Sequence, residues 1–567
     1  MSLTHGLELW GGLECSVVRI GGDVRNQIVE TDHHERAGDL GLVAELGIRT
    51  LRYPVLWETV SRSPDDGDWR WHDARLKQLR TLGMSPIAGL MHHGSGPFWC
   101  DVLHPDFPAA LARHAANVAR RYRWITMFTP VNEPMTTARL CGLYGHWYPH
   151  GRDEATCFAV VVAECLATAA AMREIIRITP SAKLVQTEDI GRVFATPLLQ
   201  YQADHENERR WLALDLLAGR VDRHHPFHRR LIDHGIDERH LDWLAQNPCP
   251  PDIIGIDQYL TSDRFLDEKT ENYLGEAPGG NQWHSYVDVA AVGAGLPAAL
   301  SGFLPRIKEA WNRYSIPLAL TEVHNGCTRE EQLRWLKEAW DAANAARAGG
   351  IDLRAVSIWS LFGAADWNSL LTRRKGFYES GAFDVRFSPP RPTGIATFAR
   401  EVICSGSFDH PVLDRPGWWR ADERRTASPL RPILLAQSDG LARTVIGCCE
   451  ARRLDTTTPE SQASDAGKPW AAVEAESGFG GGRARKFSSS LRLTCRYAPF
   501  DDCAPSLVVE AAHTFDPVHV ANAFLDLIID GATGRLRLTR ADACGQYKFE
   551  ADTRSIPANA TAVRRAV

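Results

Sequence analysis

Short apolar runs alternate with stretches of helical periodicity through most of the chain. The first strand-like run is Leu9 to Val18, and a helical pattern follows over Glu35 to Leu46. Next come a strand over Thr50 to Trp57, a helix over Asp73 to Leu82, a strand over Ser85 to His93 and a helix over Pro105 to Tyr122. The fourth strand is Trp124 to Phe128, followed by a long helix over Ala155 to Ile178 and a fifth strand over Leu184 to Ile190. An insertion rich in Trp, Arg and His, which reads as mostly helical, leads to the sixth strand, Ile253 to Leu260. A helix over Pro297 to Tyr314 precedes the seventh strand, Leu318 to Val323; Pro297 suits a first helical turn and Pro317 separates helix from strand. The helix Arg329 to Ala348 then leads to the eighth strand, Ala355 to Phe362.

Eight strands alternating with helices predict an α/β protein whose residues 1–404 form a closed (β/α)8 TIM barrel. An open doubly wound sheet is the alternative, but it gives no reason to collect polar and aromatic residues at successive strand ends. Residues 405–429, rich in proline and aromatics, read as a linker lying on the barrel. Residues 430–567 read as a smaller, truncated Rossmann-like domain, opening with a strand over Leu430 to Leu435 and a helix over Leu441 to Leu454. The turn between them, Ala436-Gln437-Ser438-Asp439-Gly440-Leu441-Ala442, lacks the glycines that let backbone approach a pyrophosphate, and Asp439 adds like charge. No Tyr-x-x-x-Lys follows to donate a proton. The expectation is therefore no cofactor and a redox-inactive remnant. The stretch from Thr456 to Gly482, rich in Ser, Gly, Ala and acidic residues, reads as a flexible surface excursion.

Composition narrows the partners. The 567 residues are 44% hydrophobic and 24% charged with a net charge of -6, so no basic excess points to nucleic acid. The opening Met1-Ser2-Leu3-Thr4-His5-Gly6 has no signal-peptide character and no apolar run reads as a bilayer span, so the expectation is a cytoplasmic protein with no membrane partner. The 13 cysteines are scattered without Cys-x-x-Cys pairs, which points to reduced thiols and no metal site. A homo-oligomer is compatible with all of this.

In a barrel the C-terminal strand ends converge on one pocket. Those ends carry Glu14, Arg52 and Trp57, His93, Asn132 and Glu133, Asp257 and Tyr259, Glu322 and Trp359. Two carboxylates on different strands are what glycosidic bond cleavage needs, while amide, imidazole and indole groups suit sugar hydroxyls and ring faces. Each residue alone also has an ordinary reading: Arg52 as a structural ion pair, His93 as a core histidine, Trp359 as packing. Together, four carboxylates at one barrel end favour chemistry and a carbohydrate substrate.

These motifs resemble glycoside hydrolase family 1, the β-glucosidase-like retaining barrels. Asn132-Glu133-Pro134 matches the family's Asn-Glu-Pro, and Thr321-Glu322 its nucleophile strand. His93 with Pro97, Arg52, and Trp359-Ser360-Leu361 followed by Asp366-Trp367 match three further motifs. The resemblance implies Glu133 as acid/base, Glu322 as nucleophile, and Arg52 and Tyr259 as its supports. It further implies that Glu14, His93, Asn132, Asp257, Trp359, Asp366 and Trp367 bind the sugar. Arg52 is then expected to hold Glu322 ionised, and the charge of Glu322 to keep Glu133 protonated. Departures are Asp257-Gln258 where the family has Asn-Tyr, and Asp366 where it has glutamate. Ser369, Lys375 and Tyr378 resemble the phosphate-binding loop of members acting on 6-phosphosugars. The tail resembles a degenerate dTDP-4-dehydrorhamnose-reductase-like domain. The implied activity is retaining β-glycoside hydrolysis, with transglycosylation open. The alternatives are a non-catalytic sugar-binding scaffold or a bifunctional protein with a sugar-nucleotide reductase activity.

Overall fold

The apolar runs between residues 8 and 358 lack polar alternation because both faces of each strand are covered. In the computed structural model they form eight strands: β1 (Glu8–Gly12), β2 (Thr50–Pro54), β3 (Ser85–Gly89), β4 (Met127–Thr129), β5 (Lys183–Glu188), β6 (Ile253–Gln258), β7 (Leu318–Val323) and β8 (Leu353–Ile358). All neighbours pair in parallel and β1 pairs with both β2 and β8, closing an eight-stranded (β/α)8 barrel. The structure describes residues 6–64, 66–273, 275–420, 431–435, 440–458, 468–478, 490–500, 504–512, 515–540 and 547–551.

Inside the barrel, Trp10, Ile87, Val185 and Ala319 come from β1, β3, β5 and β7 and pack in one buried cluster with Ala355 of β8. Side chains from alternate strands filling a layer are what closes a barrel into a core rather than a pore. Helices Asp39–Glu45, Arg70–Thr81, Phe107–Arg121, Glu154–Ile178 and Phe303–Tyr314 follow β1, β2, β3, β4 and β6. The helix Glu154–Ile178 corrects the expectation of no span-length apolar run: by length and composition it is long and apolar enough to cross a membrane. Its apolar window is 67% buried inside the protein, as in a core helix, and Asp153 caps its start by accepting from Thr156 N at 2.7 Å.

Other boundaries move for local reasons. The first apolar run is two elements: β1 stops at Gly12, and Val17–Ile20 forms a hairpin with Asp23–Asn26. Trp57 ends no strand; it opens the short helix Trp57–Val60 and packs against Trp99, Phe107 and His114. Pro297 lies before the helix, which begins at Phe303 after Gly302 with φ of 89°. The insertion after β5 is helical over Gln200–Arg209, Leu212–Leu217, His228–Asp233 and Glu238–Gln246. An additional sheet of Val193–Ala195, Arg264–Asp267, Gly279–Gly280 and Ser285–Ala290 has no counterpart in the sequence reading.

The chain divides into two compact units, residues 1–325 with 335–381, and residues 326–334 with 382–567. Residues 382–404, assigned to the barrel from sequence, thus fall in the second unit, where Gly394 N, at the start of the helix Gly394–Ser405, donates to Asp530 Oδ1 at 2.7 Å. That unit carries a seven-stranded sheet: β9 (Ile433–Leu435), β10 (Thr456–Thr457), β11 (Ala471–Gly478), β12 (Ser490–Tyr497), β13 (Ser506–Ala512), β14 (Gly534–Arg540) and β15 (Tyr547–Ala551). Its order is β10-β9-β11-β12-β13-β14-β15. Helix Gly440–Ala451 crosses from β9 to parallel β10, and helix Pro517–Ile529 from β13 to parallel β14, while β12 is antiparallel to both neighbours. The supposed excursion over 456–482 is therefore partly ordered sheet. Ala471, Val473 and Ala475 point inward and alternate with Glu474 and Glu476, a period of two that the low hydropathy conceals. The turn residue Asp439 lies outside the described residues.

Candidate active site

Glu133 follows β4 and opens the helix Pro134–Ala138 with φ of 45°. A residue before proline is steered away from the right-handed helical region, and this left-handed conformation is uncommon outside glycine. Glu188, ending β5, locks the turn by accepting from Met135 N at 2.8 Å, Thr136 N at 3.0 Å and Thr136 Oγ1 at 2.7 Å. Glu322 sits near the end of β7. Arg52 of β2 donates to Glu322 Oε1 at 2.8 Å and the Tyr259 hydroxyl to Oε2 at 2.5 Å, so each carboxylate oxygen has its own donor. One oxygen from each of Glu133, Asp257 and Glu322 lies within 4.8 Å of the others.

Arg52 also donates to Thr321 O at 3.0 Å and to Asn132 Oδ1, which takes a second bond from Thr187 Oγ1 at 2.7 Å. That leaves only Nδ2 of Asn132, 3.3 Å from His92 Nε2, to donate outward. His93, with φ of 54°, turns Nδ1 to Thr137 Oγ1 at 2.9 Å and Nε2 to Glu133 at 3.5 Å. Glu14 accepts from Ser16 N at 2.9 Å and Ser16 Oγ at 2.6 Å. The Trp367 ring lies edge-on to His93 at 5.8 Å, and its buried Nε1 has no hydrogen-bond partner among the described residues.

Two expected sugar contacts are directed elsewhere. The Trp359 ring is 4% exposed, stacked on His92 at 5.4 Å with the Arg52 guanidinium 4.6 Å from its centroid; it packs the arginine rather than offering an open platform. Asp366 accepts from Arg25 at 2.9 Å, Lys375 N at 3.1 Å and Phe377 N at 2.8 Å, so its carboxylate pins a loop. Nor do the Ser369 and Tyr378 hydroxyls wait for a phosphate: they donate to the carbonyls of Asp366 and Phe362 at 3.1 and 3.0 Å.

Electrostatics alter the expected division of charge. Burial first, then Asp257, Glu322, Glu188 and Asp189 together push Glu133 well above the carboxylate range. Burial and Asp257 push Glu322 up to about 8 against the pull of Arg52 and Tyr259. Asp257 is raised as well, by burial. Arg52 thus opposes, without overcoming, the desolvation of Glu322, and the charge acting most on Glu133 is Asp257 rather than Glu322. The ordering between the two glutamates still holds physically: Glu322 has two donors at hydrogen-bond distance, whereas Glu133 Oε1 has none, so Glu322 ionises first. Burial lowers His93 to about 3 and His92 well below its ordinary value, so both imidazoles are neutral.

No family model matches the chain. In sequence it is 23% identical over 440 residues to Beta-glucosidase 47 of Arabidopsis thaliana, covering 69% of this chain and 78% of that protein. Among solved structures it is similar to a β-glucosidase from Thermotoga maritima in complex with deoxynojirimycin, with TM-score 0.58 and 15% identity, covering 72% of this chain and 100% of that one. A structure of the family 1 β-glucosidase from the same organism gives TM-score 0.56 and 16% identity over the same shares. The barrel has the fold of a family 1 β-glucosidase.

On that fold, β4 and β7 present Glu133 and Glu322 to each other, and Arg52, Asn132, Tyr259 and Asp257 gather around them. Sequence reasoning missed His92, Glu188 and Thr187, and named Thr321 only as part of the nucleophile strand, not as the donor to Asp257. Glu188 carried the same signal as the others, an acid at a strand end. His92 was hidden beside His93. A separate cleft of about 840 Å³, lined by residues such as Trp69, Trp99, Arg113 and Trp243, contains none of the site carboxylates.

Proposed function

We propose that this protein is a retaining β-glycosidase that cleaves a β-linked glycoside by double displacement. It is an O-glycosyl hydrolase. The observation that carries the reading is the approach of Glu133 and Glu322 oxygens to within 4.8 Å. Retaining enzymes hold their two carboxyl groups about 5–5.5 Å apart, whereas inverting ones leave roughly 6.5–9.5 Å for a water. The likeness to β-glucosidases in sequence and in fold supports the same class.

Glu133, kept protonated by burial and by its anionic neighbours, gives its proton to the glycosidic oxygen as the bond breaks. Glu322, held from both oxygens by Arg52 and Tyr259, attacks the anomeric carbon and forms a glycosyl ester. Glu133, now a carboxylate, then takes a proton from water as the water displaces Glu322. A sugar hydroxyl in place of that water gives transglycosylation by the same route. Neutral His93, Asn132 Nδ2 and Trp367 Nε1 supply hydrogen bonds to sugar hydroxyls without adding charge.

A panel of nitrophenyl β-glycosides tests the activity, and Glu322→Ala with added azide tests the mechanism. Hydrolysis by the unmodified protein, and a glycosyl azide of inverted configuration from the variant, are expected. Wild-type-like hydrolysis by Glu322→Ala refutes the assignment.

A further inference from the structure

The third carboxylate of the cluster has no place in the two-carboxylate mechanism. We propose that Asp257 is the proton-sharing partner of Glu133, holding one proton between the two carboxyl groups in the resting site and remaining anionic beside Glu133 through both displacement steps. The proposal rests on the glycosidase reading above and assigns Asp257 a positioning role for the proton rather than contact with the sugar.

The geometry points to a pair. Asp257 Oδ2 and Glu133 Oε1 are each buried without a conventional donor among the described residues. Asp257 is 0% exposed and Glu133 4%. The other oxygen of Asp257 is fixed by the Thr321 hydroxyl at 2.6 Å, which holds the carboxylate in one orientation. One oxygen of each carboxyl group lies within 4.8 Å of the other's, and in the hydrogen bond between the two groups Glu133 is the donor to Asp257. Leaving buried carboxyl oxygens without a partner is costly, and a proton held between the two groups lessens that cost.

The surrounding charges require that proton. Facing the pair are Arg52 from β2, 3.8 Å from Asp257; Glu322 and Thr321 from β7; Glu188 and Asp189 from the end of β5; His92 and His93 beyond β3; and Tyr259 beyond β6. Arg52 is the one cation in that set, since burial keeps both histidines neutral. Glu133, Asp257 and Glu322, clustered beside one guanidinium, cannot all ionise cheaply.

Proton bookkeeping shows what Asp257 adds. In the ionisation state that reacts, Glu322 and Asp257 are anionic and Glu133 is neutral. After the first step Glu322 is an uncharged ester, the leaving group has taken the proton, and Glu133 and Asp257 are anionic. The charge of the three groups is unchanged, and the repulsion that stood between Asp257 and Glu322 now stands between Asp257 and Glu133. Glu133 therefore stays a strong base when water must be deprotonated, even though the charge of Glu322 has gone. An asparagine at residue 257 would keep the bond from Thr321 and lose this effect.

The test is a carboxyl 13C NMR titration of the full chain, unmodified and as Asp257→Asn, with the Glu133 signal assigned by Glu133→Gln. In Asp257→Asn the midpoint of Glu133 is expected to fall by about one pH unit or more. The alkaline limb of kcat/KM should fall with it, while KM changes little. In the unmodified protein, the Glu133 and Asp257 carbons should each report both steps of a two-step titration, which decides the matter even if Asp257→Asn does not fold. An unchanged Glu133 midpoint in a folded Asp257→Asn, or independent one-step titrations in the unmodified protein, overturns the proposal. If no β-glycoside is hydrolysed, the glycosidase reading fails, while the titration still decides the pairing.

Discussion

Removing the guanidinium of Arg52 should disable the nucleophile by keeping it protonated. Arg52 lies 2.8 Å from Glu322 and both are almost fully buried, at 6% and 2% exposure. At an effective dielectric of about 20, unit charges at that distance attract by roughly 6 kcal/mol. Lost in full, that is equivalent to about 4 pKa units on Glu322; relaxation and water entry could halve it. Arg52→Met is therefore expected to move the acid limb of kcat/KM upward by at least about 2 pH units and to cut the rate at pH 7 on the order of 100-fold or more. Arg52→Lys keeps the charge but cannot span Glu322, Asn132 and Thr321 O together, so its acid limb should stay near that of the unmodified protein while kcat falls. The assay is the pH profile of nitrophenyl β-glycoside hydrolysis, with circular dichroism to establish folding. A folded Arg52→Met with an unmoved acid limb would refute the electrostatic account of Glu322.

Two further outcomes follow from packing and burial. A Cβ on Gly12 would sit 2.5 Å from the Trp359 ring, so Gly12→Ala should cost about 1–3 kcal/mol in urea unfolding and lower activity by displacing Trp359 from Arg52; unchanged stability would mean the ring can shift freely. Glu164 on the long helix is 0% exposed, both its oxygens lack partners among the described residues, and burial raises it well above the carboxylate range. Because its folded value is raised, its contribution to stability is complete below the unfolded value and is lost as pH rises toward the folded one. Glu164→Gln should thus flatten the decline of unfolding free energy as pH rises above the ordinary carboxylate range, by up to roughly 1.4 kcal/mol per pH unit, and an unaltered slope would count against this burial.

The barrel was legible because its signal is repetitive. Strands buried on both faces read as unbroken apolar runs, and Leu318–Val323 came out with its bounds intact. What the sequence concealed was punctuation and irregularity. Trp57 looks like the end of a strand, yet its neighbours turn it into a one-turn helix. The strand Ala471–Gly478 is built on alanines and glutamates, so its alternation is invisible to hydropathy. The sheet containing Arg264–Asp267 and Ser285–Ala290 is assembled from pieces distant in sequence, and no local pattern announces such pairing.

The site was legible in membership more than in roles, because residue type and strand position say which groups converge but not which bonds they spend on one another. Trp359 and Asp366 reach the right region and are then consumed, one by His92 and Arg52, the other by Arg25 and two backbone amides. Asn132 keeps one donor after Arg52 and Thr187 have taken its oxygen. Asp257 moves the other way. An aspartate at a strand end reads first as one more hydroxyl-binding group, but buried beside two glutamates and a single guanidinium it becomes a charge that sets when the others can ionise. A carboxylate and an amide of the same shape fill that position equally well in space, and they differ by one charge in a region where burial screens little. The choice at residue 257 therefore leaves the barrel unchanged and acts on the proton that Glu133 must give up and recover in every turnover.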